Sequence, residues 1–438
     1  MLRRIKIRGY KSLVDTEVCL EPLSVIFGSN GAGKSNFLDA LQLLSRLANS
    51  RTLKDAFEPP YRGTPLESFA FGPEGIKGLL AQQEASFTIE ADVELASTVV
   101  DTVNRQIREM RRTRTPDENG KSISKASDMP SVRERYLRYR LEIEIFPKTG
   151  ILRVADEYLA ALNAEGEPTG RRRPFLERID DRLHLRMEGQ AHPTFHECYL
   201  DYTILSLPLY PPHYPHLVAM RQEFASWFFF YFEPRERMRA PNPVKEVRHI
   251  GMMGEELAAF LNTLRALDEP QFRAVEKSLH QIIPSVTGID VGVNSIGEVE
   301  LKLLEGDTPI PARVLSEGTL RVLGLLALNG VREPPALLGF EEPENGVHPR
   351  RLRLIAELLK TRAAIGNTQL IVTTHSPILP DLMTDKSLYV CRKTDRHTVL
   401  EPFLTWGALA RQSDISRALD EEESLTVSER ILRGDFDA

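Results

Sequence analysis

The run Gly28-Ser-Asn-Gly-Ala-Gly-Lys34-Ser35 sets a glycine-rich turn in front of a lysine and a serine. Glycines let backbone N–H groups close around phosphate oxygens, and a helix starting behind the loop adds the positive end of its dipole. Lys34 can then reach β- and γ-phosphates, and the Ser35 hydroxyl can ligate Mg²⁺. A second chemical group closes the apolar run Ala336-Leu-Leu-Gly-Phe340, which ends in Glu341-Glu342-Pro343. Adjacent carboxylates at the end of a buried strand are costly unless a cation is present. Mg²⁺ and an attacking water supply the reason: Glu341 is expected to hold the metal through water, and Glu342 to polarise the water. Leu315-Ser316-Glu317-Gly318-Thr319 opens a helical pattern and suits a second anion site. His375 ends the apolar run Gln369-Leu-Ile-Val-Thr-Thr374, where it can sense a γ-phosphate. Taken alone, a Ser-x-Gly start caps many helices, and a loop histidine is more often simply hydrogen-bonded.

These groups need elements to hold them. Residues 2–27 read as two strands, apolar at Leu2, Ile5 and Ile7 and then at Leu23, Val25 and Phe27. After the glycine turn, Phe37, Leu38, Leu41, Leu44 and Leu47 recur at helical spacing. Residues 50–80 read as loop. Phe87 to Leu95 and Leu137 to Ile145 alternate strictly, and 151–162 is a partner strand for either, which predicts an antiparallel sheet. The stretch 101–135 carries Arg105, Arg108, Arg111, Arg112, Arg114, Lys121 and Lys125; it reads first as a solvated helix and loop, and second as a nucleic-acid or partner contact. Arg171-Arg172-Arg173 reads as loop. Proline makes 208–216 irregular. Helices are expected at 217–232, 252–266 and 270–282, a hairpin at 289–304, and alternating helix and apolar strand from 313 to 392.

The chain has 438 residues, 42% apolar and 27% charged, which excludes a disordered or collagen-like whole. Its net charge of −6 argues against a dedicated nucleic-acid coat. Three widely spaced cysteines, Cys19, Cys198 and Cys391, fit a reducing compartment. Apolar runs fall short of the roughly 18 residues that span a bilayer, and the alternating N-terminus reads as a strand, so the expected location is cytoplasmic. His192, His196 and Cys198 match no standard zinc spacing. Asp435-Phe-Asp437 reads as a polar tail.

The spacing joins the motifs: 342 − 316 = 26 residues from Ser316 to Glu342, and 375 − 342 = 33 from Glu342 to His375. Phosphate loop, Leu-Ser-x-Gly signature, acidic strand end, turn and histidine, in that order, resemble an ATP-binding-cassette ATPase head. Ile5-Lys-Ile-Arg-Gly-Tyr-Lys11-Ser12-Leu, Ser316-Glu-Gly-Thr, Glu341-Glu-Pro-Glu-Asn-Gly-Val-His348-Pro and Thr373-Thr-His-Ser-Pro377 narrow the likeness. They are similar to RecF/SMC-like and OLD-like ATPases of bacterial DNA repair and antiphage defence. The resemblance covers about 1–100 and 225–395. Glu341 departs from it, standing where the wider family has Asp, and the long coiled-coil arms of SMC proteins have no counterpart in the heptad pattern.

The resemblance implies an α/β fold: a P-loop ABC-ATPase head with a mixed central sheet, an antiparallel β subdomain and a helical lobe. It divides the chain into an N-terminal ATPase lobe (1–100), an insertion (101–224), the signature lobe with the C-terminal ATPase core (225–395) and a tail (396–438). Lys11 and Ser12 would approach the nucleotide, and Asn30, Gly31, Gly33, Lys34 and Ser35 would hold its phosphates and Mg²⁺. Gln82 or Gln83 would serve as the Q-loop residue. Ser316 and Gly318 would contact ATP held by another subunit of a homodimer or higher oligomer. Glu342 would be the base, His375 the switch histidine, and Asn345 to His348 the turn coupling two sites. The 63 residues after His375 (438 − 375) are too few for a TOPRIM nuclease domain, so a separately encoded effector is expected, with DNA as a further partner and no membrane. An ATP-gated scaffold with slow or absent turnover, and a repair ATPase, remain as alternatives; a transporter subunit is disfavoured.

Overall fold

The computed structural model describes residues 1–112, 131–163, 166–169, 173–188, 190, 192–328, 334–406 and 426–436. Arg114, Lys121, Lys125, Arg171, Arg172 and Asp437 lie outside the described residues, as do the side chains of Arg111 and Arg112. The chain forms two units. One comprises Met1–Glu21, Ser35–Trp227 and Lys393–Leu400; the other comprises Pro22–Lys34, Phe228–Arg392 and Glu401–Ala438. Among the described residues, no helix is long and apolar enough to cross a membrane.

The first unit is built on an eight-stranded antiparallel sheet. Its strands are β1 (Leu2–Tyr10), β2 (Leu13–Cys19), β4 (Ala85–Glu94), β5 (Tyr136–Phe146), β6 (Ile151–Ala161), β7 (Leu176–Ile179), β8 (Arg182–Arg186) and β9 (Pro193–Glu197). They run in the order β2-β1-β4-β5-β6-β7-β8-β9. Period-two alternation decides the faces. Ile5, Ile7, Phe87, Ile89, Leu137, Tyr139, Leu141 and Ile143 are buried on one. On the other, Arg4 and Arg138 both pair with Asp92, at 2.7 and 2.6 Å, and Arg140 pairs with Asp156 at 2.9 Å. Cross-strand pairs of this kind hold the register. The strand at 151–161 pairs with β5 and not with β4. Helix α1 (Lys34–Leu47) enters this unit, and the supposed loop at 50–80 holds short helices α2 (Leu53–Ala56) and α3 (Ile76–Ala81). Helix α4 (Ser97–Arg112) is not fully solvated, because Val99, Val100, Val103 and Ile107 form a buried stripe.

A six-stranded sheet, most of it in the second unit, joins β3 (Leu23–Phe27), β10 (Trp227–Phe230), β15 (Leu337–Glu341), β16 (Gln369–Thr374), β17 (Leu388–Thr394) and β18 (His397–Pro402). Their order is β10-β15-β16-β3-β17-β18, and β15, β16, β3 and β17 run parallel. The expected two strands over 2–27 are thus three, with β3 serving a different sheet from β1 and β2. The helix expected at 217–232 is also two elements. Helix α5 (Pro215–Ala225) ends at Ser226, and the aromatic run behind it becomes β10, where Phe230 stacks on Phe340 at 5.6 Å. Aromatic residues favour a strand that packs against neighbours. A small antiparallel sheet joins β11 (Asn242–Pro243), β12 (Gly288–Val293), β13 (Glu298–Glu305) and β14 (Thr308–Pro311). Helices α6 (Leu257–Leu267), α7 (Glu269–Ile282), α8 (Glu317–Ala327), α9 (Leu352–Ala364) and α10 (Ile378–Asp381) complete it, with a C-terminal helix at Val427–Arg433. Val25, Phe27, Leu261, Leu279, Leu303, Leu323 and Ile355 share one core.

Candidate functional site

The phosphate-loop residues follow β3 directly. Gly28, Gly31 and Gly33 take φ of 154°, 77° and 109°. Only glycine adopts these values cheaply. A Cβ on Gly28 would stand 1.9 Å from the Cys391 carbonyl oxygen, whereas one on Gly31 would meet nothing within 4 Å. The loop is therefore clamped at its base and open at its tip, where Asn30 and Gly31 are exposed. Lys34 is only 4% exposed. Its ammonium donates to the carbonyls of Gly28 and Ser29 at 2.7 and 2.9 Å. Burial lowers its pKa, opposed by the nearby Cys391, Glu342, Glu341 and Glu344.

Parallel strands β15 and β16 end side by side, Glu341 opposite Thr373. Glu342 leaves the strand with φ of 49°, and its N–H donates to Thr373 O at 2.9 Å. A left-handed glutamate is strained by about 1–3 kcal/mol, a cost that concentrates at functional sites. His375 links the two strand ends. Its Nδ1 lies 3.2 Å from Lys34 Nζ and its Nε2 lies 3.0 Å from Glu342 Oε1. An ammonium has no lone pair, so Nδ1 accepts and Nε2–H donates. The imidazole is therefore neutral, in agreement with a pKa lowered first by burial and then by Lys34.

Glu344 was expected only as part of a turn. It is 7% exposed, and Oε1 accepts from the Thr374 hydroxyl and from the Ser376 N–H at 3.4 Å. It thus grips the chain on both sides of His375. Burial raises its pKa, and its Oε2 has no hydrogen-bond partner among the described residues. The signal for it, an acid between Pro343 and Asn345, shows in the sequence; its burial does not.

Ser316 caps α8. Its hydroxyl accepts from Thr319 N at 3.2 Å, and the residue is exposed. Gly318 lies against the turn after Glu342: a Cβ there would be 2.2 Å from Gly346 O. Asn345 Nδ2 reaches Glu342 Oε2 at a long 3.5 Å.

In the first unit, Lys11 has φ of 46°, and its ammonium donates to Asp39 Oδ2 at 2.8 Å. Arg62 donates to the other oxygen of Asp39 at 2.9 and 3.1 Å. The Ser12 hydroxyl lies 2.7 Å from Thr398 Oγ1 and accepts from Asn36 Nδ2 at 2.7 Å. Sequence reasoning missed Asp39, Asn36, Arg62 and Thr398, which come from three segments, Asn36 and Asp39 sharing α1. Gln82 and Gln83 are exposed at the end of α3. Ser35 stands at the second position of α1, beside Lys34.

The residues fit a magnesium-bound nucleotide. Glu341, Glu342 and Glu344 act on one buried cation, Lys34, so the charge of the strand ends is net negative. A bare triphosphate would be repelled there, and a divalent ion offsets the excess. Among the described residues, no group of three or more His, Cys, Asp or Glu side chains can hold a metal alone. Mg²⁺ is commonly held by one or two protein oxygens plus substrate phosphates.

Residues 216–381 match the family described as "AAA domain, putative AbiEii toxin, Type IV TA system", and residues 1–114 match "AAA ATPase domain". No curated protein matches the chain. The fold is similar to an SMC head solved with the C-winged helix domain of ScpA. Identity there is 12%, covering 91% of this chain and 97% of that one, with a TM-score of 0.52. An SMC head domain from Thermotoga maritima gives 14%, 92%, 98% and 0.39 for the same measures. One from Pyrococcus furiosus, bound to the C-terminal domain of ScpA, gives 10%, 94%, 98% and 0.47. The two family matches and the strand-end chemistry converge on one activity: the chain is an ATPase with AAA ATPase domains, on a fold similar to that of an SMC head.

Proposed function

We propose that two copies of this head close around ATP, and that closure and reopening control a separate effector or a DNA transaction in antiphage defence. The observation that carries this reading is the start of α8. Ser316 is exposed there, while Gly318, two residues on, abuts the turn that follows Glu342. An anion seat open to a second molecule is thereby joined mechanically to the acidic strand end. Asn30, Gly31, Gly33, Lys34 and Ser35 would hold the phosphates of the head's own ATP, with Lys11 and Ser12 alongside. Ser316 and Gly318 would hold those of the partner's.

Ser35 and Glu341 would hold Mg²⁺, which offsets phosphate charge when bound. Glu342 would orient and deprotonate the water. In the isolated head Lys34 is spent on its own loop carbonyls and Glu342 on His375. Lys34 would leave those carbonyls for phosphate, His375 would lose its Nδ1 donor, and Glu342 would be freed. This arrangement favours slow, gated turnover, so the scaffold reading keeps a place beside the machine. The description of the matched 216–381 family as a putative toxin of a toxin–antitoxin system supports a defence role. The ScpA domain on the similar SMC head supports a protein partner.

The test is size by light scattering and phosphate release, with and without ATP and Mg²⁺, on wild type and Glu342→Gln. Release should stop in the variant while ATP drives a larger species. If ATP changes neither size nor phosphate in wild type, the reading is wrong.

A further inference from the structure

We propose that Arg235 is a phosphate ligand supplied to the ATP of a second copy of this chain, and that Glu317 aims it. This rests on the composite-site reading above. Arg235 lies in the single wide turn Pro234–Met238, whose start is fixed by the Glu233 carboxylate accepting from Glu236 N and Arg237 N at 3.1 and 3.2 Å. Such π-turns recur at functional sites. The backbone is pinned, yet the side chain is 75% exposed. Its Nε donates to Glu317 Oε1 at 2.6 Å.

Only one edge of the guanidinium is used by that bond. The two Nη groups make no hydrogen bond among the described residues. They form a rigid, planar set of donors that matches phosphate oxygens. An exposed ion pair of this kind does little for stability, so its position calls for another reason. Glu317 is the residue after Ser316 and begins α8. A bare carboxylate beside a seat for triphosphate would oppose the ligand. Arg235 removes that opposition and holds Glu317 below the usual carboxylate range. Arg239, on the same segment, donates to Leu315 O at 2.6 Å and so steadies the residue before Ser316. The buried Nε atoms of Arg239 and Arg321 have no hydrogen-bond partner among the described residues, and both guanidiniums act on Glu317. Arg235, Arg239 and Arg321 all act on Glu317, and Glu233 acts on Arg235, so positive charge gathers at the signature start among few acids, as a polyanion seat favours.

Mixing of full-length variants tests the assignment. Arg235→Ala keeps its own phosphate loop, and Lys34→Ala keeps Arg235 and Ser316. Arg235→Ala alone should lose roughly 10²-fold in kcat with KM changed less than about threefold. Arg235→Lys, which keeps the charge but not the fork, should recover no more than a tenth of that loss. A 1:1 mixture of Arg235→Ala with Lys34→Ala should regain about a quarter of the wild-type rate, since half the dimers are mixed and each has one complete site. Ser316→Ala with Lys34→Ala is the parallel mixture. Recovery there without recovery for Arg235→Ala would place Arg235 in its own head's chemistry and overturn the inference while sparing the composite site. If neither mixture recovers, the composite site fails and the inference with it. Full activity of Arg235→Lys would also overturn it.

Discussion

Gly318→Ala tests whether the signature helix and the acidic turn move as one piece. A Cβ at position 318 would stand 2.2 Å from the Gly346 carbonyl oxygen, 2.9 Å from its carbon and 3.3 Å from Val347 N. All three are backbone atoms, so no side-chain rotation absorbs the clash. Ordinary contact begins at 3.4 Å, and the start of α8 must therefore part from the turn by about 1 Å. Overpacking of this size costs about 1–3 kcal/mol. Each kcal/mol lowers the melting temperature of a unit this large by roughly 2–4 °C, so a fall of about 2–12 °C is expected in the second unit. Ser316 and Glu342 flank the contact, and phosphate release should fall at least about tenfold, since misplacement near 1 Å can cost more. Calorimetry and phosphate release check both. Gly292→Ala is the control: a Cβ there meets nothing within 4 Å. If Gly318→Ala melts with the control and releases phosphate at the wild-type rate, the coupling argument is refuted.

Three further outcomes follow from buried groups in either unit. Glu157 is fully buried and accepts from Ile204 N, Leu205 N and the Tyr139 hydroxyl at 2.6, 3.0 and 2.9 Å; burial, outweighing those bonds, pushes its pKa from 4.5 up to about 7. The folded value lies above the unfolded one, so its contribution is present in full below about pH 4.5 and is lost as pH rises to about 7, by about 3 kcal/mol. Urea denaturation at pH 5, 6 and 7 should show that slope in wild type and a flatter one in Glu157→Gln; equal slopes would acquit this acid. Asp39→Ala leaves the half-buried ammonium of Lys11 with the Arg62 carbonyl and takes the carboxylate from one face of Arg62, and should cost the first unit about 2 kcal/mol by thermal melting. A loss under about 0.5 kcal/mol would show that water replaces the carboxylate there. Cys391 is buried, and burial pushes its thiol up to about 12, while Cys19 is exposed. Iodoacetamide at pH 8 should label Cys19 and spare Cys391 until the chain is denatured, as read by mass spectrometry.

What the sequence made legible is what a single backbone position demands of its residue. Gly31 and Gly33 occupy left-handed φ values that a phosphate loop needs, and they stand in the motif as glycines. Ser316 caps a helix as its place before an apolar stripe requires. Glu341 ends β15 and Glu342 follows it, and the fold puts that end next to β16, which leads into His375. Each of these readings used one stretch of chain.

The rest depended on pairings between stretches. Trp227 to Phe230 looked helical because the apolar face of α5 runs into it without a break; the neighbour at β15 decides the strand, and no local pattern names that neighbour. Glu344 is buried because Thr374, 30 residues on, donates to it. Lys11, Asp39 and Arg62 become one cluster only after three segments meet. Arg235 is the sharpest case. It lies 82 residues from Glu317 in a segment with no motif of its own, and nothing in either stretch marks them as partners. Chemistry that resides in one loop can therefore be read from the residues. Control of that chemistry, which depends on a charge from elsewhere reaching the loop, becomes visible only in three dimensions.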